Sequence, residues 1–156
     1  MLYLQVLVNG LVLGGLYACI AVGFSLVWGV LNIINILHGT FVVIGSYAAY
    51  FAYLKLGIHP FLSIPIAAAI LFVLAYLLQS GVINKVVAAP VLTTLTLPFG
   101  LDLFLNNLLI IAFKADYRKV TLENPLGVLT LAGITVPVDR LAAMVMALLL
   151  PALLFW

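Results

Sequence analysis

Apolar residues run through this chain in long blocks separated by short polar interruptions, and the blocks have the length of membrane spans. No Asp, Glu, Lys or Arg occurs from Met1 to Leu54, while about 20 residues of apolar helix suffice to cross the hydrocarbon core of a bilayer. Two helices fit in that block. The pattern predicts a first span from Leu2 or Leu11 to Gly29, and a second opening near Asn35 or His38 and ending at Leu54. Lys55 and the turn residues Gly57, His59 and Pro60 close it. A third span is expected over Phe61 to Leu78, with Pro65 tolerated in its first turns because the carbonyl it frees lies near the helix start. Gln79, Ser80, Gly81, Asn84 and Lys85 mark a surface, and a fourth span follows from Val91 to Phe113. A fifth apolar run starts at Leu141 and is still apolar at Trp156, which reads as a truncated span. The expected fold is all-α: a polytopic transmembrane helical bundle of about five spans, the last truncated, making one partial domain over residues 1–156.

The substantial loop, Lys114 to Arg140, holds most of the charged residues and is expected outside the membrane. Within it VLTLAGITVPV alternates around Ala132-Gly133 and predicts a small hairpin ended by Pro137. The apolar blocks carry a few costly polar groups. Asn32, Asn35 and His38 stand three residues apart, followed at once by Gly39, and on a helix they share roughly a third of the circumference. The fourth span contains Pro98, Gly100, Asp102, Asn106 and Asn107. A central Asp costs about 2.5 to 3.5 kcal/mol on insertion, while each Leu, Ile, Phe or Val returns about 0.3 to 0.6. The many residues of those four types carry the acid into the membrane, and the acid turns away from lipid. Pro98 predicts a kink or break.

Asn35, His38 and Asp102 are therefore candidates to border a transport path. Their structural alternative is that Asn35 and His38 cap the helix opening at Gly39, and that Asp102 bonds backbone groups freed by Pro98. Gly10 and Gly14 have the G-x-x-x-G spacing, and with Gly15, Gly23 and Gly39 they are expected to let helices pack closely. Tyr47, Tyr50 and Tyr53 approach a span end and are expected at headgroup level.

Composition narrows the function. With 67% hydrophobic and 6% charged residues and a mean hydropathy of +1.39, the chain is a membrane protein. A net charge of +2 offers no face for nucleic acid. The single Cys19 excludes a disulfide within the chain. No lysine follows Gly, so a phosphate-binding G-x-x-x-x-G-K-[ST] loop is absent. Two histidines and one cysteine give no cluster for a metal, and one deep carboxylate does not make an intramembrane aspartyl protease. No catalytic residue, metal or cofactor is expected.

Gly14-Gly15-Leu16-Tyr17-Ala18, Gly23, Gly29, Asn35-Ile36-Leu37-His38-Gly39 and Gly45-Ser46-Tyr47 resemble the opening of the permease subunits of branched-chain amino-acid ABC importers. Ala89 to Leu95, Phe99-Gly100-Leu101, Asn107 and Ala115-Asp116-Tyr117-Arg118 resemble that family's middle portion, so the similarity runs from about Val8 to the end. The resemblance implies a multi-pass subunit of a bacterial inner (plasma) membrane, assembled with a second permease subunit, two ATPase subunits and an external solute-binding protein. The implied cargo is leucine, isoleucine, valine or a related small amide, moved by alternating access. Relatives are longer and carry a cytoplasmic segment that docks on the ATPase, which this chain stops short of. Many also have an arginine-rich patch where this chain has Lys85, and a residue other than Pro98. The family orientation places the Lys114–Arg140 loop outside, against the positive-inside count that Lys55, Lys114, Arg118, Lys119 and Arg140 would give. The alternative is a polytopic scaffold that binds partners through its glycine faces and transports nothing.

Overall fold

A computed structural model describes residues 2–31, 35–86, 89–121, 127–131 and 133–154. The fold is all-α apart from one small hairpin. Among the described residues five α-helices follow in order: α1 (Leu2–Leu31), α2 (His38–Leu56), α3 (Ile64–Gly81), α4 (Val91–Phe113) and α5 (Val138–Leu154). Between the last two lie strands β1 (Val128–Leu131) and β2 (Ile134–Pro137). Asn32, the first member of the predicted polar stripe, and Trp156 lie outside the described residues. Among the described residues, Leu2–Val30, Ile64–Lys85 and Leu92–Phe113 are long and apolar enough to cross a membrane. The 19-residue α2 is diluted by His38, Lys55 and three tyrosines, and α5 is described over 17 residues.

The chain divides into two compact units, one holding α1, the hairpin and α5, the other α2 to α4 with the segment up to Thr121. In the first unit the antiparallel strands pair Val128 with Pro137 and Leu131 with Ile134, around a turn in which Gly133 takes φ 80°. That left-handed value suits glycine, which has no Cβ to clash. The outer edge of β2 is closed by a side chain. Gln5 donates from Nε2 to the Thr135 carbonyl at 2.7 Å and accepts from the Thr135 amide at 2.8 Å, so it stands in for a neighbouring strand. The hairpin is thereby tied to the first turns of α1, and an edge that would template pairing is partly blocked. Helix α5 starts at Val138, earlier than the predicted Leu141. Asp139 lies in its first turn, where the helix dipole favours an acid. Deeper in the unit Gly15 faces Met144: a Cβ at Gly15 would lie 2.5 Å from the Met144 Cγ, so this glycine allows α1 and α5 to approach. A Cβ at Gly10 or Gly14 would meet nothing within 4 Å, so the G-x-x-x-G pair contacts no other described helix. Gly23 is half-buried.

In the second unit α2 ends at Gly57, whose φ of 66° places it in the left-handed cap position. The predicted start of α3 at Phe61 moves to Ile64. The Ser63 hydroxyl donates to the Pro60 carbonyl at 2.7 Å, and the Ser63 amide to the His59 carbonyl at 3.1 Å. These bonds hold residues 59–63 in a turn, and Pro65 enters at the first helical positions as expected. α2 and α3 come close at Gly45, where a Cβ would lie 3.1 Å from the Leu71 Cδ1. α4 runs without interruption through Pro98, which corrects the expected break. The Pro98 side chain is fully buried, and packing compensates for the one lost helical hydrogen bond. Two tyrosines of α2 make tertiary contacts. Tyr47 stacks on Phe113 with centroids 4.6 Å apart, and the Tyr53 hydroxyl donates to the Thr121 carbonyl at 2.9 Å.

Replacing Gln5 with alanine exposes both edge groups of Thr135. Hydrogen exchange should then show the Thr135 amide about fivefold less protected, from loss of one hydrogen bond worth about 1 kcal/mol. The Val136 amide, on the inner side of the ladder, should be unchanged. Equal protection of Thr135 in both proteins would mean that the clamp does not form.

Candidate functional site

Asp102 lies midway along α4, and three side chains meet there. Thr40 donates from Oγ1 to the Asp102 Oδ1. Asn106, one helical turn beyond Asp102, donates from Nδ2 to the other carboxylate oxygen at 3.1 Å and to the Thr40 Oγ1 at 2.9 Å. Each member touches the other two, and each carboxylate oxygen has a donor. In hydrocarbon an unmatched polar group costs several kcal/mol, so the closed ring removes the main objection to an acid at this depth. Thr40 is 2% exposed, which seals one side of the carboxylate from solvent.

The backbone supplies a second source of stabilisation. Thr40 is the third residue of α2, whose flanking position is Leu37. The carboxylate therefore lies against the first turn of a helix, where unpaired backbone N–H groups concentrate partial positive charge. A negative group there gains about 0.3 to 1 kcal/mol when exposed and up to about 2 when partly buried. This proximity follows from the register of the two helices. Thr40 meets the middle of α4, and Tyr47, two turns later, meets its end at Phe113. The helices thus run in the same direction, and α2 opens level with the centre of α4.

Apolar packing accompanies that register. Leu37 is fully buried and clusters with Ile83 and Leu105, backed by Phe41, Leu78 and Leu101. Leu101 and Leu105 form one ridge of α4, and Asp102 and Asn106 form the next. The first turn of α2 spans both ridges, placing Leu37 and Phe41 on the first and Thr40 on the second.

Of the residues singled out in the sequence, Asp102 occupies this network, and its partners are Thr40 and Asn106 rather than the backbone near Pro98. His38 is the first residue of α2 and is half-buried. The residue at the N-cap position is Leu37, which makes no side-chain cap bond. The His38 amide donates to the Asn35 backbone carbonyl at 3.2 Å. The Asn35 Oδ1 is buried and has no hydrogen-bond partner among the described residues. Gly39 is exposed, and a Cβ there would meet nothing within 4 Å, so it makes no close contact with another described helix. Thr40 was missed because a lone threonine in an apolar run is unremarkable: its hydroxyl can bond its own helix. Asn106 had a readable signal, the four-residue spacing from Asp102 that puts both on one face.

This fold and site define a polytopic helical membrane protein with a carboxylate held between two of its helices. The family described as branched-chain amino acid transport system / permease component matches residues 6–156, and the chain belongs to it. The chain is 32% identical over 126 residues to the high-affinity branched-chain amino acid transport system permease protein BraD of Pseudomonas aeruginosa, covering 76% of this chain and 41% of that protein. It is 32% identical over 113 residues to the corresponding permease protein LivH of Salmonella typhimurium, covering 67% of this chain and 37% of LivH. Over 48 residues it is 44% identical to LivH of Escherichia coli, covering 31% of this chain and 16% of that protein. The matched stretches cover 41% or less of the length of these relatives. No solved structure matches it.

Substituting Thr40 with valine keeps the shape and deletes the donor to Asp102. The expected loss is about 1 to 3 kcal/mol of stability, read as a lower unfolding midpoint in detergent micelles, with Thr40→Ser restoring it. A valine variant as stable as the parent would show that the carboxylate does not depend on Thr40.

Proposed function

We propose that this chain forms part of a membrane permease subunit of an ATP-driven importer for leucine, isoleucine, valine or related small amides. The observation that carries the proposal is the match of its family over residues 6–156 of a polytopic helical chain. The names of BraD and LivH attach branched-chain amino acid transport to those relatives. In this reading the subunit lies in a bacterial inner membrane with a second permease subunit, two ATPase subunits that hydrolyse the ATP, and an external solute-binding protein.

Asn35, His38 and Asp102 border the path in this proposal, with separate tasks. Asn35 presents an acceptor, Oδ1, that no donor among the described residues uses, suited to a substrate N–H. His38 stands at the mouth of α2. Asp102 acts through Thr40, holding the α2 entrance against the centre of α4. Alternating access requires two arrangements of the helices around the site, and a hydrogen-bonded seam between α2 and α4 can exchange partners without leaving a charge in lipid.

The test is uptake of radiolabelled leucine by cells carrying the full-length protein with its partner subunits. Asp102→Asn and His38→Ala should each lower uptake severalfold while the complex still assembles. Normal uptake by both variants would remove these residues from the path. Purification of the full-length protein as a homo-oligomer without an ATPase would favour a scaffold instead.

A further inference from the structure

Two cations converge on one aromatic ring at the end of the second unit, opposite to the start of α2. The Lys55 Nζ lies 5.6 Å from the Phe51 ring centroid and the Arg118 Cζ lies 5.8 Å from it. Arg118 also stands over Tyr47 and Tyr50, at 6.0 Å and 5.7 Å. Its Nη2 donates to the Phe113 carbonyl at 2.8 Å, which caps α4 and fixes the guanidinium. Both residues are exposed, and among the described residues neither meets a carboxylate. Two like charges held by the same ring repel each other, and an anion between them would relieve that repulsion.

Beside Lys55 runs a groove of about 450 Å³ between α2, α3 and α4, with Lys55 in its wall. Ile44, Ala48, Ile66, Ile70 and Leu109 are among its lining residues, and its surface is almost entirely apolar. From Ile44 to Lys55 the groove follows about 16 Å of helix, close to half of the roughly 30 Å hydrocarbon core. It has the dimensions of one acyl chain in one leaflet. On the other side of Tyr47 a second hollow of about 490 Å³ is lined by Ser46, Tyr50, Tyr117 and Arg118, which adds hydroxyl donors beside the guanidinium.

We propose that this is a binding site for an anionic phospholipid. The phosphate is held by Lys55 and Arg118, which stand 5.6 Å and 5.8 Å from the Phe51 ring centroid, and an acyl chain lies in the groove along α2. The chemistry suits the groups: a planar guanidinium matches phosphate oxygens with paired N–H donors, and lysine supplies a point charge. The bound lipid neutralises the two cations and fills the seam that α2, α3 and α4 leave open.

Native mass spectrometry of the full-length protein, offered equal parts of phosphatidylglycerol and phosphatidylcholine, tests this. The parent should retain phosphatidylglycerol preferentially. Each basic residue near an anionic surface changes affinity about fivefold, so Lys55→Gln should lose about that factor, and Lys55→Gln with Arg118→Gln about 25-fold. Lys85→Gln, in the short turn after α3, should retain the full preference. Ala48→Phe fills the groove and should also release the lipid while leaving both cations in place, a check that holds even where Arg118→Gln fails to fold. Equal retention of the two lipids by the parent, or an unchanged preference in Lys55→Gln, would overturn the proposal. Competition by inorganic phosphate with no effect of Ala48→Phe would also overturn it, in favour of a free-anion site.

Discussion

The hydrogen bond from Thr40 to Asp102 is the constraint on which the second unit depends. A carboxylate in the middle of an apolar helix cannot be left to lipid, and its remedy dictates the neighbours. It needs donors, so Thr40 and Asn106 point toward it. It gains from positive potential, so the first turn of α2 lies beside it. Once α2 is set at that height, Leu37 falls into the cluster with Ile83 and Leu105, and Tyr47 falls on Phe113. Polar pairing between membrane helices averages only about 0.6 kcal/mol in measured cases. Its larger effect here is to select one register among many that apolar side chains would accept equally well.

The two ends of this unit divide the chemistry. At the α2 start, polar groups are few: Thr40 is buried, Asp102 and Asn106 are half-buried and bonded to it, and the Asn35 Oδ1 has no partner among the described residues. At the α2 end, aromatic rings gather exposed cations, and the segment after α4 folds back through Arg118 and Tyr53. In the proposed function the first end receives a small polar solute that can replace a hydrogen bond. The second suits the boundary between hydrocarbon and headgroups, where aromatic and basic side chains are stable together.

Much of the fold was legible because membrane insertion imposes a coarse rule: a helix needs a long apolar block. The bounds of α4 match the predicted Val91 to Phe113, and the alternation around Gly133 gave the hairpin its register. Helix starts were harder to read. α3 begins later than Phe61 because Ser63 and His59 form a turn whose bonds depend on local geometry, and α5 begins earlier than Leu141 because Asp139 is stabilised at its N-terminus. In the site, the expense of burying Asp102 was visible from residue type alone. Its partner was not, since no pattern along the chain states that α2 opens level with the middle of α4. The glycines show the same limit: Gly15 meets Met144, while Gly10, Gly14 and Gly39 have open space where a Cβ would go. Spacing reveals that a helix can be approached, and only the tertiary arrangement reveals which glycine is.

The most direct test of this account is a double-mutant cycle between Thr40 and Asp102, using Thr40→Val, Asp102→Leu and the combination, with unfolding free energies measured in the same micelles. If the carboxylate and the hydroxyl stabilise one another across α2 and α4, the combined loss should fall short of the sum by about 1 to 2 kcal/mol. Losses that add to within about 0.5 kcal/mol would show two independent sites, and would contradict the claim that this one bond sets the register of the helices.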